Sequence, residues 1–237
     1  MAPSLDLPHS PELAAVHIFG VTRRHIPHAL LRMARDGRAL RSVPGLTFAR
    51  LLGTNDGTTF TPRSNDFRHW ALVSVWQTTE AAHDFELSTV IQRWTQICEE
   101  RLHVRLRPLT SRGRWAGREP FGAPTPHPVS GPVASITRAR VAPRKAVQFW
   151  RAVPPVATDL AQAAGVRLAI GVGEAPVGFL GTFSIWDSTQ ALTDFAHRRA
   201  AHQLAVRRTE EEHWYAEELF ARFEVLDIEG TYAGRTP

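Results

Sequence analysis

Cysteine is almost absent from this chain, since Cys98 is the only one among 237 residues. A single thiol excludes an intramolecular disulfide and a paired-cysteine metal site, and it fits the reducing cytoplasm, where we expect the protein to act. Cys98 lies in a stretch with a helical pattern, which favours a structural thiol over a nucleophile. Lysine is equally rare: Lys145 is the only one, and arginine supplies the other basic residues. That bias indicates a GC-rich genome before it indicates a function.

Long apolar runs and the common catalytic signatures are also missing. No run approaches the length that a membrane span needs. The chain has no G-x-S-x-G elbow, no phosphate-binding loop with its lysine and no dinucleotide glycine fingerprint, which excludes most hydrolases and nucleotide enzymes. The net charge of +5 comes without a nucleic-acid motif, so we expect no nucleic-acid partner. Attraction to an anionic cofactor, or peripheral contact with a membrane through anionic headgroups, stays open.

What the chain does contain is much the same unit twice. Residues 74–85 return as residues 184–195, with Ser, Trp, Thr, Ala, Asp and Phe in register. A repeat this long is typical of a duplicated domain, because solenoid units are much shorter. We therefore expect Trp76 to superpose on Trp186 and Phe85 on Phe195. Two like halves also create an interface, where ligand cavities tend to form.

Each half shows the patterns strand, helix, strand, strand, helix, strand. Strands are expected at residues 16–21, 46–52, 70–76 and 104–109, and again at 133–139, 166–172, 179–186 and 220–226. Helices are expected at 26–35, from Thr78 or Thr79 to about Arg101, at 143–152, and from about Ser188. This order predicts an α+β fold, in which tandem ferredoxin-like repeats form a dimeric-type α+β barrel within one chain. The halves are expected to span 14–110 and 133–230.

A connecting loop at residues 111–132 joins the predicted halves. It carries Arg112, Arg114 and Arg118 around Trp115, followed by a proline-rich run. One interpretation is a solvated loop with a single aromatic anchor. The other is a loop whose planar guanidinium groups bind carboxylates or phosphates. Spacing alone leaves the two balanced.

The helix after Trp186 carries the most informative histidine. Residues at steps of three and four share one face of it, namely Leu192, Phe195, Arg199, His202 and Val206. His202 is therefore the best-placed candidate for a metal or haem-iron ligand, although a hydrogen-bonded core histidine is the commoner role on such a face. Gln92 stands at the equivalent first-half position. Six other histidines lie in polar or turn-like surroundings and are expected to be exposed: His25, His28, His69, His83, His103 and His127.

Several strings of residues match a family pattern. They are Phe60-Thr61-Pro62 ahead of residues 71–76, Arg112-Gly113-Arg114-Trp115 with residues 117–121, Phe183-Ser184-Ile185-Trp186, and residues 214–223. On these strings the chain resembles the spheroidene monooxygenases, or carotenoid 2-oxygenases, and their bacterial relatives. The resemblance runs from about Ala15 to Tyr232.

The resemblance implies a haem-dependent monooxygenase that hydroxylates and ketolates a small hydrophobic, carotenoid-like substrate with O2. It implies haem b as the cofactor and a ferredoxin-like electron-transfer protein as the donor. It also implies kinship with tandem ferredoxin-like haem barrels such as aldoxime dehydratases, in which a histidine on a helix of the C-terminal half holds the iron. The family's histidine lies twelve residues before the Trp of its Trp-x-x-Glu-Glu-Leu motif, as His202 lies before Trp214. His202 is then the expected axial ligand.

Given that resemblance, four arginines are candidates for binding the cofactor: Arg112, Arg114, Arg118 and Arg199. Trp76 and Trp186 are expected to pack the barrel. Two alternatives stay open. One is a haem-dependent dehydratase, or other nitrogen-group chemistry on a substrate of specialised metabolism, in which a substrate nitrogen binds the iron directly. The other is a haem carrier or sensor without turnover.

Overall fold

A computed structural model describes residues 11–55, 65–142, 144, 159–160, 162–174, 179–198 and 215–237. The first half contains strands β1 (Leu13–Val21), β2 (Leu46–Asn55), β3 (Asn65–Trp76) and β4 (Cys98–Gly113), with helices α1 (Ile26–Ala39), α2 (Thr79–Glu86) and α3 (Thr89–Thr95). The second half contains strands β5 (Val133–Val141), β6 (Val166–Gly173), β7 (Phe179–Trp186) and β8 (Tyr215–Gly230), with helix α4 (Thr189–Arg198). The helix expected at 143–152 falls almost entirely outside the residues just given.

The strands close into one barrel in the order β1-β3-β2-β6-β7-β5-β8-β4. All the pairings are antiparallel, and the two halves join where β2 meets β6 and where β4 meets β8. Apolar side chains from both halves fill the interior, which includes Val16, Val73, Ile136 and Phe183. This is the predicted α+β barrel of tandem ferredoxin-like repeats.

The tryptophans of the repeat occupy equivalent positions. Trp76 ends β3 opposite Leu13, and Trp186 ends β7 opposite Val133. Each indole N–H donates to the serine hydroxyl two residues earlier, at 3.0 Å in the first half and 2.9 Å in the second. Each ring packs on the repeated phenylalanine, with centroids 4.9 Å and 5.2 Å apart. The duplication, and the packing role of both tryptophans, are therefore confirmed.

A second element repeats, which none of the sequence patterns above predicted. β4 ends at Gly113 and β8 at Gly230, and each is followed by the pattern x-aromatic-Ala-Gly-Arg. In both hairpins the Ala-Gly pair has positive φ, with 54° and 74° in the first and 52° and 74° in the second. Two-residue turns of this kind match the twist of the flanking strands. The first turn buries Trp115 in the barrel core, and the second packs Tyr232 against the same core.

The long helix predicted from Thr79 to Arg101 is wrong, because the chain breaks it at Leu87-Ser88. Thr78 and Ser88 are both extended, and each accepts a hydrogen bond from the backbone N–H three residues later. Two capped short helices result. The chain then enters β4 at Cys98, so this thiol begins a strand and not a helical turn. Burial raises its pKa, which fits a structural role.

Candidate functional site between the second-half sheet and its helices

The barrel interior leaves no room for a large ligand among the described residues, because apolar side chains of all eight strands fill it. The outer face of each half-sheet is the other place where a site can form, since helices cover it there. In the first half, α2 and α3 bury Phe19, Phe85 and Trp94 against the sheet. In the second half, α4 packs Leu192 and Phe195 against Trp186.

The two outer faces differ in the size of their side chains. Across the first-half sheet, one row runs Leu72, His17, His103. The equivalent second-half row runs Thr182, Thr137, Phe220. One step along the sheet, Phe19 of the first half stacks on Trp94 with centroids 4.9 Å apart. Ala139 stands at its second-half position, opposite Leu180 as Phe19 is opposite Trp70.

We call Thr137, Ala139 and Thr182 the floor of the candidate site. Their small side chains lie where the first half carries His17, Phe19 and Leu72, so the second-half sheet contributes less side-chain volume at these positions. Residues 199–214, which follow α4 in the chain, lie outside the described residues. His202 and Arg199 belong to that stretch, so their roles stay predictions.

Arg112 lies at the edge of the floor. Its guanidinium carbon stands 5.2 Å from the ring centroid of Phe220, which is the neighbour of Thr137 on β8. It also comes within 3.8 Å of Glu218, and 78% of its side chain is exposed. A guanidinium that is largely exposed and only loosely paired can still bind an anionic group of a ligand.

Arg114 and Arg118 take different places. Arg114 is exposed and pairs with Glu119 at 3.4 Å. Arg118 is exposed in the hairpin turn, where its backbone pairs with that of Trp115. The segment is thus ordered by its buried tryptophan, whose indole N–H donates to Glu174. The predicted loop begins as the last residues of β4, and of its three arginines the structure brings Arg112 to the floor.

A buried polar cluster lies in the first half at the place equivalent to the floor, and the sequence patterns did not predict it. His17 donates from Nε2 to Glu86 at 2.7 Å, and His103 Nε2 lies 3.7 Å from the same carboxylate oxygen. Arg101 donates to the other oxygen of Glu86. We call these four residues the His17 cluster. Two histidines on neighbouring strands, both on the helix side, were the available signal.

Burial and pairing shift the pKa values of this cluster. Burial lowers the pKa of His17, and it lowers the pKa of His103 to about 3, with help from the neighbouring His17. Burial alone would raise the pKa of Glu86, but the hydrogen bond from His17 and the nearby cations outweigh it and lower that pKa to about 2. At neutral pH the cluster therefore holds two neutral imidazoles and one carboxylate.

Two imidazoles and a carboxylate are metal-ligand types, and the three ligand atoms lie within 4.8 Å of one another. The geometry nevertheless favours a hydrogen-bonded network. The rings of His17 and His103 stack 4.2 Å apart at an interplanar angle of 6°, so their in-plane lone pairs run side by side and do not converge. The guanidinium of Arg101 would also face an incoming cation. We assign the cluster a packing role.

Three of the histidines expected to be exposed are not. His25 is half-buried, and its Nδ1 donates to the backbone oxygen of Ile97 at 3.1 Å. His103 is buried at 7% exposure because its strand turns it towards α2. His69 lies between Asp66 and Glu100, at 2.5 Å and 2.8 Å. Both carboxylates raise its pKa against the effect of burial. The polar sequence around His69 and His103 concealed strand positions, at which side chains alternate between the barrel interior and the helix-covered face.

Comparison with known proteins places the chain in a family. It is 35% identical over 218 residues to a spheroidene monooxygenase of Rhodobacter capsulatus, across 90% of this chain and 89% of that protein. The chain belongs to the spheroidene monooxygenase family. Relatives of the same name from Rubrivivax gelatinosus and Cereibacter sphaeroides are 38% and 33% identical over 81% and 87% of the chain, and 73% and 64% of their own lengths. The predicted family is thereby confirmed, although no family model matches the sequence.

Solved structures support the fold of this spheroidene monooxygenase relative. A crystal structure of aldoxime dehydratase with butyraldoxime matches at a TM-score of 0.63 and 11% identity, over 98% of this chain and 85% of that one. A second aldoxime dehydratase structure matches at 0.58 and 12% identity, over 95% and 88%. At such low identity the likeness concerns the fold alone. Among the described residues, no helix is both long and apolar enough to cross a membrane.

Proposed function

We propose that this chain is a haem-dependent monooxygenase that hydroxylates, and then oxidises to a ketone, a carotenoid-like hydrophobic substrate, with O2 and electrons from a ferredoxin-like donor. Family membership supports the reaction class, since the relatives are named spheroidene monooxygenase. The observation that carries the placement of the cofactor is the floor, where small side chains replace the bulky ones of the first half.

The floor fits a flat, largely apolar group. Ala139 is 9% exposed, and the hydroxyls of Ser135 and Ser184 satisfy each other at 2.9 Å nearby. An apolar macrocycle on this surface would therefore leave few hydrogen-bonding groups without a partner. In the first half, Phe19 and Trp94 occupy the matching volume, so a second cofactor has no place there.

His202 is the proposed axial ligand of haem b. The α4 face that leads to it begins with Leu192 and Phe195, which are buried at 6% and 9% exposure. In the sequence, Arg199 and His202 follow Phe195 at steps of four and seven, and this helical spacing predicts that they share its face. An imidazole there would look towards the floor, and a hydrogen bond to its other nitrogen would set its basicity.

Arg112 is the proposed partner of a haem propionate. Its guanidinium lies over Phe220 at the edge of the floor, and its 78% exposure leaves it accessible to a further carboxylate beside its 3.8 Å contact with Glu218. Arg114, Arg118 and Arg199 are proposed for the same role or for an anionic end of the substrate, with Arg112 first because of its position. When bound, the haem would activate O2 for insertion into a C–H bond. The protein's own part is to orient the substrate over the cofactor and to exclude water.

The decisive experiment is the absorption spectrum of protein that was expressed with a haem supply. A Soret band is expected from the wild type, while His202→Ala should lose it or lose its normal axial signature. His197→Ala and His213→Ala are matched controls and should keep the wild-type spectrum. If His202→Ala keeps an unchanged band and His197→Ala does not, the wrong histidine has been chosen. Absence of any haem from the wild type would refute the cofactor.

Turnover separates the reaction classes. With a reductant, an electron donor, O2 and a carotenoid, the proposal expects oxygenated product in steady state. A haem protein that binds but gives no turnover would be a carrier or sensor. Conversion of an aldoxime by the anaerobic ferrous protein would instead identify a dehydratase.

A further inference from the structure

The first helix presents an unusual outer surface. α1 packs Ala29 and Asp36 against the sheet and α3, whereas its opposite side carries Pro27, Leu30, Leu31 and Ala34 in exposed positions. Leu30 and Leu31 are 48% and 47% exposed. Large apolar side chains scattered singly on a surface need no explanation, but four apolar residues on one helical arc form a patch. We call these four residues the α1 patch.

The positive charge of the protein is concentrated around this patch. Residues 22–45 contain six arginines and one aspartate, a net charge of +5 that equals the net charge of the whole chain. The remaining residues therefore balance. The single acid, Asp36, is buried at 2% exposure beside Arg93 and does not offset the exposed arginines of the segment. Five of the six arginines are exposed, namely Arg23, Arg24, Arg35, Arg38 and Arg41, and Arg32 is half-buried.

Four of these arginines, Arg23, Arg24, Arg35 and Arg38, lie beside the patch along the chain. Arg35 and Arg38 follow Leu31 at steps of four and seven, so they lie one and two turns beyond it. Arg23 and Arg24 stand in the turn just before the helix and are exposed. In the part of the chain that the structure describes, no ion pair of Arg35, Arg38 or Arg41 is found. An apolar centre with unneutralised cations on both sides is the pattern of a helix that lies in a membrane interface.

We propose that α1 docks this protein on the surface of an anionic lipid bilayer, with Leu30 and Leu31 entering the acyl boundary and the arginines on the headgroups. A bilayer fits better than a protein partner because the patch is convex. Consecutive leucines diverge around a helix, so a fluid surface can take both, while a rigid partner would need a groove for them. The long arginine side chains can reach headgroups while their stems lie along apolar surface. The inference does not depend on the cofactor or on the reaction.

Vesicle flotation tests the proposal. The wild type should float with vesicles of phosphatidylcholine and phosphatidylglycerol, bind pure phosphatidylcholine far more weakly, and be released by high salt because exposed charges are screened. Leu30→Gln with Leu31→Gln should abolish flotation. Arg35→Gln with Arg38→Gln should weaken the partition coefficient by about fivefold for each arginine at low salt. Circular dichroism and thermal melting would verify that the variants fold.

Matched controls are available elsewhere on the surface. Leu87 lies between α2 and α3 and is 71% exposed, so Leu87→Gln should leave flotation unchanged. Arg105→Gln with Arg107→Gln removes the same charge from β4. Both arginines already pair with acids, so vesicle binding should change little. The proposal is overturned if the leucine variants float like the wild type or if binding ignores salt. Self-association in sedimentation that the leucine variants abolish, without any vesicle binding, would assign the patch to a second copy of the chain and also overturn it.

Discussion

Glu100 and Glu217 do the same work in the two halves of the barrel. Glu100 accepts hydrogen bonds from the backbone N–H groups of Ala233 and Gly234, both at 3.1 Å. Glu217 accepts them from Ala116 and Gly117, at 3.0 Å and 2.7 Å. Each carboxylate thereby holds the hairpin turn that belongs to the strand beside its own. The two carboxylates thus hold the two hairpin turns where β4 pairs with β8.

Glu217→Ala should lower the free energy of unfolding by about 3 kcal/mol. The change removes the acceptor of two turn amides and the partner of Arg138, whose side chain is only 5% exposed inside the barrel. The buried guanidinium of Arg138 then loses its closest carboxylate, while Glu174 lies farther away at 3.9 Å. Urea denaturation monitored by tryptophan fluorescence measures the loss.

Glu119→Ala is the matched control for that experiment. Its carboxylate is 62% exposed and pairs only with Arg114 at 3.4 Å. The expected change in unfolding free energy is below about 0.5 kcal/mol, as for most exposed ion pairs. Equal losses in the two variants would contradict the role of Glu217 in holding the turn.

Gly45→Ala and Gly165→Ala should each destabilise the protein by about 2 kcal/mol or more. Both glycines have positive φ, 73° and 78°, which costs about 1–2 kcal/mol for a residue with a Cβ. An added Cβ would also lie 2.5 Å from that of Ala81 and 2.7 Å from that of Ala191. The two turns are equivalent, so similar shifts in denaturation midpoint are expected. Gly37→Ala in α1 meets nothing within 4 Å and should stabilise by about 1 kcal/mol. A neutral Gly45→Ala would disprove the strained turn.

Stability should fall as the pH is lowered from about 6.5 towards 4. The pKa of His103 is lowered to about 3 and that of His17 is also lowered, while an unfolded histidine titrates near 6.5. Below pH 6.5 the unfolded chain therefore binds more protons than the folded one, and the unfolding free energy drops by about 1.4 kcal/mol per pH unit for each such histidine. Glu86, with its pKa lowered to about 2, adds to the loss below pH 4.5.

His103→Phe installs the residue found at the equivalent second-half position, Phe220. It should reduce the pH slope of the unfolding free energy by about 1.4 kcal/mol per pH unit, which corresponds to one proton. The measurement is urea denaturation at a series of pH values. His69 acts in the opposite sense, since its pKa is raised and its contribution is present below pH 6.5 and lost above it. His69→Gln should therefore leave the slope between pH 6.5 and 4 unchanged. A slope that His103→Phe does not alter would refute the neutral buried imidazole.

Ala139→Phe with Thr182→Leu should abolish haem uptake while the barrel stays folded. These changes restore on the floor the bulk that Phe19 and Leu72 supply in the first half. The Soret absorbance per protein is the readout, with circular dichroism as the check on folding. Thr110→Phe adds an aromatic ring at an exposed position of β4 and should keep full haem content. Normal haem content in the floor variant would place the cofactor elsewhere.

Local sequence patterns were sufficient for much of the fold. Alternating apolar residues predicted the strands, and the Ser-x-Trp repeat predicted that Trp76 and Trp186 would be equivalent, because the same short-range hydrogen bond forms in both halves. The repeat of the hairpin turns was hard to predict because the aromatic residue differs, with Trp115 in the first turn and Tyr232 at the equivalent position of the second. The break at Leu87-Ser88 was hard to predict because a serine N-cap inside an apolar pattern resembles a tolerated helix residue.

By itself the sequence determined the duplication, the succession of most strands along the chain, and the family. These depend on neighbouring residues or on short strings of residues. Only the tertiary structure decided that Thr137 and Thr182 lie side by side on a floor, and that His17 and His103 share a carboxylate. Those relationships depend on which strands pair and in which register, and pairing between strands far apart in sequence is fixed by packing of the whole barrel. The same register makes Phe19 and Leu72 of the first half equivalent to Ala139 and Thr182 of the second.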